Sequence, residues 1–424
     1  MTRINIATRR EFLTRGMGIV GVGCGLPNLL VRSALAGPKD ASDDRIVVAL
    51  LLTGGPDGLS LVPPYADDEY YVHRKVLRVP TKEVLKLNDE VGLHPQLPRI
   101  KKFYDRGDLA VVLGTGYPGF TLSHFVGREI WEAAKKGVRS GQQGSTGWLG
   151  RFVDHACENP DPTLNVAVGS GRLPLLITGK EHPGIGFSSP DSFRFLGDRT
   201  TEGQALYRNL NKMNKKSKMK EASTQADLQF ITKTATNANA ASERLGELSS
   251  HYKTPVRYPD TQFGQSMKTI AGFINGGLDA RVYYAAQGIA TFGGYDTHAD
   301  QPRRLATLLN ELDETMDAFY KDLARSKNAD RVLAYTYSEF GRRVKENHSG
   351  GTDHGVAQPM FLFGPGVKAG VHGQMPSLTD LDKRGNLKTA IDFRRVYTAI
   401  LEKWLKVPGK TILGKKYAPI DCIG

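Results

Sequence analysis

Short, unbroken apolar runs rich in β-branched residues recur along the chain, at 46–53, 109–114, 165–168, 173–177, 280–286, 331–337 and 360–363. Runs that do not alternate with polar residues suit strands covered on both faces. Between them, apolar residues return at helical spacing over 96–104, 123–135, 146–155, 263–275, 301–325 and 393–404. Strand and helix in alternation predict an α/β fold, with a mostly parallel central sheet and helices on both faces. The stretch 201–258 breaks the pattern, being polar, rich in Ala, Asn, Lys and Glu, and poor in strand formers. It reads as a helical insertion packed on the α/β body.

The composition is that of a globular protein: 424 residues, 40% hydrophobic, 24% charged, with 47 glycines. Disordered, collagen-like and coiled-coil classes are excluded. Outside the N-terminus no segment reaches the roughly 20 apolar residues needed to span a bilayer, and no fixed-period repeat is visible.

The first 36 residues change the meaning of the charge. Thr8-Arg9-Arg10-Glu11-Phe12-Leu13 is followed by a glycine-rich, weakly apolar stretch that ends in Ala34-Leu35-Ala36. This is the pattern of a twin-arginine export signal cut after Ala36, which predicts a periplasmic or extracellular protein that engages the twin-arginine translocase. That segment holds five arginines and one glutamate, a net of +4, so the overall +13 leaves +9 on the mature chain, residues 37–424. Of three cysteines only Cys157 and Cys422 would remain. Two cysteines build no disulfide framework, so an apolar core must carry stability. Residues 212–220 carry five lysines and no acid, which suits either a solvated face or a grip on an acidic polymer.

In such a sheet ligands gather beyond the carboxyl ends of the strands, so polar residues directly after apolar runs are the ones to collect. Thr53-Gly54-Gly55-Pro56-Asp57 places a carboxylate at the first strand tip, where glycines let other backbone approach. Ser123 and His124 open a helical pattern after the second run; Ser123 is a nucleophile, a ligand or a plain N-cap. Gly293-Gly294-Tyr295-Asp296-Thr297-His298 offers a carboxylate and an imidazole two residues apart, on one side of an extended segment. Glu339 ends another buried run and needs a partner or an ion, with Arg342 and Arg343 at hand. Asp353 and His354 sit in a glycine-rich loop. Asp57, Asp296, His298, Glu339, Asp353 and His354 together form an oxygen and nitrogen ligand set suited to one or two divalent ions, Zn, Mn or Mg. Two ions about 4 Å apart would suit displacement at phosphorus.

These motifs, Gly-Gly-Pro-Asp-Gly, Ser-His-Phe, Gly-Tyr-Asp-Thr-His, Ser-Glu-Phe-Gly-Arg-Arg and Gly-Thr-Asp-His-Gly, behind a twin-arginine signal, resemble an uncharacterised bacterial family of exported sulfatase-like proteins, a divergent branch of the alkaline phosphatase superfamily. The resemblance implies an alkaline-phosphatase-like sheet with a metal centre at its carboxyl edge. It implies Asp57 as the aspartate after the first strand, Asp296 and His298 as a metal-binding pair, His354 as the late histidine and Ser123 as the nucleophile. Glu339 stands where the superfamily has an Asp-His dipeptide, and no Cys/Ser-x-Pro-x-Arg sulfatase motif is present.

The function expected is an exported metal-dependent hydrolase of phosphate or sulfate esters, with Ser123 and His124 at the reacting bond and Arg128 or Arg342 on the anion. The other expectation is a non-catalytic binding protein of the same fold that holds acidic polymer or a metal. Export, diffuse charge and the lack of a recognition motif argue against nucleic acid.

Overall fold

The computed structural model of the protein describes residues 44–157, 161–188, 244–249, 251–289 and 293–424. The arginine-rich leader, the lysine cluster at 212–220 and most of the expected insertion lie outside the described residues; within 201–258, residues 244–249 are helical.

The strands are β1 (Ile46–Leu52), β2 (Leu85–Lys86), β3 (Gly92–Leu93), β4 (Leu109–Gly116), β5 (Asn165–Val168), β6 (Ile185–Phe187) and β7 (Val282–Gln287). They continue with β8 (Val332–Tyr337), β9 (Arg342–Glu346), β10 (Thr352–His354), β11 (Gln358–Phe363), β12 (Gly370–His372) and β13 (Ile391–Asp392). The main helices are α1 (Pro98–Asp105), α2 (His124–Ala133), α3 (Trp148–Ala156), α4 (Gln262–Asn275), α5 (Gln301–Arg325), α6 (Phe393–Ala399) and α7 (Gly409–Leu413).

One sheet dominates, in the order β12-β4-β11-β8-β1-β7-β5-β6, with β13 also paired to β4. Every residue of β1 is apolar and buried, as expected of a strand with partners on both edges and helices on both faces. It runs parallel to β7, with Val47 opposite Val282, and to β8, with Val47 opposite Leu333. Alternate side chains face two cores. Ile46, Val48 and Leu50 pack with α1, α4 and α5, while Val47, Ala49 and Leu51 pack with α2, α3, α6 and α7. The α/β architecture with a mostly parallel sheet is therefore as the hydrophobic pattern predicts.

Two elements differ from that pattern. The run 173–177 forms a single 3-10 turn at Leu175–Ile177 rather than a strand. Pro174 at its start has no N–H to offer a ladder. Strand β11 runs antiparallel to both β4 and β8. The chain leaves β8, makes the β9–β10 hairpin at the carboxyl edge and re-enters the sheet from that same edge, so no crossover reverses its direction.

Helix α5 is the longest element. Leu305, Leu308, Leu309, Leu312, Met316, Phe319 and Leu323 give it a buried stripe at intervals of three and four. Its Asp313 is buried and reaches out to another helix, accepting the Arg99 and Ile100 amides at 2.9 and 2.7 Å in the first turn of α1, which has no cap of its own. Among the described residues no helix is long and apolar enough to cross a membrane. Asp313→Ala removes the only side-chain acceptor seen at those amides, and it should cost about 1–3 kcal/mol. Urea unfolding should show this as a lower midpoint with an unchanged slope.

Candidate metal centre

Loops from β1, β7 and β8, the start of α2 and the β9–β10 hairpin meet beyond the carboxyl edge of the sheet. Their backbones touch. A Cβ on Gly54, whose φ is +109°, would lie 2.4 Å from the Asp296 amide nitrogen, so only glycine lets the β1 and β7 loops approach this closely. A Cβ on Gly127 would lie 2.9 Å from the Glu339 carbonyl oxygen. Gly127 thus lets the first turn of α2 rest on the tip of β8, which brings His124 over Glu339.

Three imidazoles and one carboxylate converge there. His354 Nε2 lies 3.1 Å from His124 Nε2 and 3.0 Å from His298 Nε2. Asp296 Oδ1 lies 3.2 Å from His354 Nε2 and 3.1 Å from His298 Nε2, and its Oδ2 is 3.5 Å from His124 Nε2. Four ligands at the 2.0–2.1 Å typical of zinc to nitrogen define a tetrahedron with edges of about 3.3–3.4 Å. The separations around His354 and Asp296 match that scale, and His124, Asp296 and His354 each place one ligand atom within 4.8 Å of the others.

The far nitrogen of each ring fixes its tautomer. His124 Nδ1 faces Glu339 Oε1 at 2.7 Å, His354 Nδ1 faces the Leu122 carbonyl at 3.0 Å and His298 Nδ1 faces Asp353 Oδ1 at 3.3 Å. Each partner is an acceptor, so each Nδ1 carries the hydrogen and each Nε2 keeps a lone pair, which on His298 also faces Arg342 Nη1 at 3.4 Å. Three lone pairs and a carboxylate oxygen repel one another unless a cation sits among them. A metal ion supplies that charge, or a proton does. Hydrogen bonds to Asp296 and then Glu339 raise the pKa of His124 to about 9. Burial would raise Asp296, but bonds from His124, His354 and Arg342 outweigh it and hold its pKa far below the usual range.

The family description "Protein of unknown function (DUF1501)" matches residues 44–414, which include every residue of this centre. The chain belongs to that family. No curated protein matches it. Among solved structures it is similar to the alkaline phosphatase from the Antarctic bacterium TAB5, at 10% identity over 77% of this chain and 92% of that one, with a TM-score of 0.31. The PsFucS1 sulfatase from Pseudoalteromonas sp. gives 11% identity, coverage of 89% and 73%, and a TM-score of 0.38. The phosphonate monoester hydrolase SpPMH from Silicibacter pomeroyi gives 8%, 89% and 78%, and 0.37.

The DUF1501 chain sorts its sequence-predicted residues into separate roles. Asp296, His298 and His354 stand at the centre, and so does His124, expected at the reacting bond rather than as a ligand. Glu339, 3% exposed, lies behind His124 and also accepts the Gly54 amide at 3.0 Å. Asp353 lies behind His298 and is held by Asn347 at 3.2 Å. Asp57 is not brought to the imidazoles. Its oxygens take Arg74 Nη2 at 2.9 Å, Ser60 Oγ at 2.7 Å and Gln301 Nε2 at 2.6 Å, and the Arg74 pair outweighs burial to lower its pKa.

Arg342, expected on the anion, is 1% exposed and fully occupied. It donates to Asp296 and to the carbonyls of Gly54, Gly55, Tyr295 and Thr352. Arg128 is half-buried and makes no hydrogen bond or ion pair among the described residues. Ser123 is the N-cap of α2, with Oγ 3.5 Å from the Val126 amide, a long contact that leaves the hydroxyl largely unspent.

Sequence reasoning missed the buried support beneath the loops. Gln301 Oε1 accepts Thr297 Oγ1 at 3.0 Å and Thr352 Oγ1 at 2.7 Å, which ties the Asp296–His298 loop to the hairpin that bears His354. Nothing in the local sequence marks Gln301 or Arg74, because their partners come from remote segments.

Two outcomes follow for this DUF1501 chain. His124, whose folded pKa is raised above the ordinary 6.5 to about 9, gives stability that is fully present below 6.5 and is lost as pH climbs through 9. In chelator, the urea midpoint should hold between about pH 4 and 6.5 and then fall toward pH 9, and His124→Asn should flatten that alkaline limb. Gly127→Ala should favour an isolated helix by about 1 kcal/mol. In the protein its Cβ pushes α2 off Glu339, so metal titration should show weaker binding.

Proposed function

We propose that the protein is an exported metal-dependent hydrolase of phosphate or sulfate esters, built on one divalent ion. The convergence of three inward Nε2 lone pairs on Asp296 carries this reading. His124, His298, His354 and Asp296 would hold the ion, and a nitrogen-rich tetrahedral set suits zinc better than magnesium. The described residues gather one such group, His124, Asp296 and His354, with His298 Nε2 3.0 Å from His354 Nε2, which supports one ion rather than two. When bound, the ion supplies a Lewis acid for an ester oxygen.

The chain's own residues divide the remaining work. Glu339 and Asp353 orient His124 and His298 through their Nδ1 hydrogens. Arg342 neutralises Asp296 and fixes its position. Ser123, at the start of α2 beside His124, is the nucleophile candidate. Arg128 lies one turn further along the same helix face. Burial acts on its guanidinium first, and the charges of Glu132, one turn further on, and then of Tyr284 and Glu339 hold it protonated, so it can offer donors to an ester anion near the start of α2. The leader ending at Ala36 supports export to the periplasm or beyond.

Protein purified without chelator should contain about one equivalent of zinc, and zinc-loaded protein should hydrolyse an aryl phosphate, phosphodiester or sulfate. Glu339→Gln should weaken metal affinity about 10–100-fold, and Arg128→Gln should raise KM more than it lowers kcat. Absence of bound metal in elemental analysis together with no turnover of any ester after metal addition would refute the reading.

A further inference from the structure

We propose that Phe125 receives the alcohol half of the ester and that this alcohol carries an aromatic ring; the inference rests on the hydrolase reading above and names its substrate class.

Phe125 is 73% exposed, the most exposed of the four large apolar side chains that stand out in solvent among the described residues. It follows His124 directly in the first turn of α2. The core-facing side of α2 is made by Gly127, Ile130, Trp131 and Ala133, so Phe125 contributes nothing to the apolar layer beneath. A step of about 100° separates it from His124. While the imidazole turns into the centre, the phenyl beside it in the chain stands out in solvent.

Its position there is fixed. The Leu122 carbonyl, three residues earlier, accepts His354 Nδ1 at 3.0 Å, and Gly127, two residues later, rests on the Glu339 carbonyl. The segment that bears Phe125 is thus tied to His354 on one side and to the tip of β8 on the other. A second exposed apolar chain, Ile289 at 47%, belongs to the connection from β7 toward Asp296. Behind the imidazoles lies a buried aromatic ring: Phe340, 2% exposed, is 4.8 Å from the His124 ring and 4.6 Å from the His354 ring. An ester whose anion meets Arg128 and the ion extends its other half outward, into the solvent where Phe125 stands. A flat ring gains offset or edge contact with the phenyl there, and a small alkyl alcohol gains nothing.

The test is calorimetric and needs no turnover. Zinc-loaded full-length protein is titrated with methylphosphonate and phenylphosphonate, and with methanesulfonate and benzenesulfonate, for wild type, Phe125→Ala and Phe125→Leu. Each ring compound is expected to bind about tenfold tighter than its methyl partner. Phe125→Ala should erase that ratio while leaving methyl binding unchanged, and Phe125→Leu should keep part of it. Equal binding of ring and methyl compounds, or a ratio that survives Phe125→Ala, overturns the inference and leaves the hydrolase reading standing. Failure of every anion to bind the zinc-loaded protein overturns both.

Discussion

The guanidinium of Arg342 is the fixed point of the carboxyl edge. It gathers carbonyls from the β1 loop, the β7 loop and the hairpin, together with the Asp296 carboxylate. Arginine alone has five donors in a planar fork that can do this. Burying such a charge is costly without full partnership, and burial does lower its pKa despite the Asp296 contact. The arrangement therefore holds only as a whole. If one loop moves, a buried donor is left empty. That cooperativity makes the positions of Asp296 and the loops that bear His298 and His354 a property of the fold rather than of any ion.

Beneath it lies a second, independent layer of buried polar contacts, with Gln301 between Asp57, Thr297 and Thr352. The two layers act on the same loops from different sides. Arg342 binds their backbone, and Gln301 binds side chains that flank the ligands. The imidazoles consequently project from loops held by two sets of buried contacts, and the lone pairs of His124 and His354 meet the Asp296 carboxylate there.

The layers of the fold were legible because a strand buried on both faces has an unmistakable composition, as Val47 to Leu51 show. The direction of β11 was not, since an antiparallel insertion and a parallel strand are equally apolar. At the site, Asp296, His298 and His354 could be collected by their place after apolar runs. The separation of first contacts from supporting ones could not. Asp57 and Glu339 look alike in sequence, each an acid at a strand tip, yet Arg74 claims one and His124 the other. Arg342 looked like a surface hand for an anion and proved to be a buried clamp, because its acceptors are backbone carbonyls, which leave no trace in residue identity.

The central position of β1 carries a burden that only chain growth reveals. It leaves the ribosome early, yet it sits between β7 and β8, whose residues come more than halfway along the chain. Until those strands are made, seven consecutive apolar residues with two unsatisfied edges have no partner. Such a segment invites association with other chains while it waits. The nascent protein should thus depend on chaperones until the Arg331 region has emerged, and the cluster of imidazoles, whose loops β1 helps to space, is among the last parts to form.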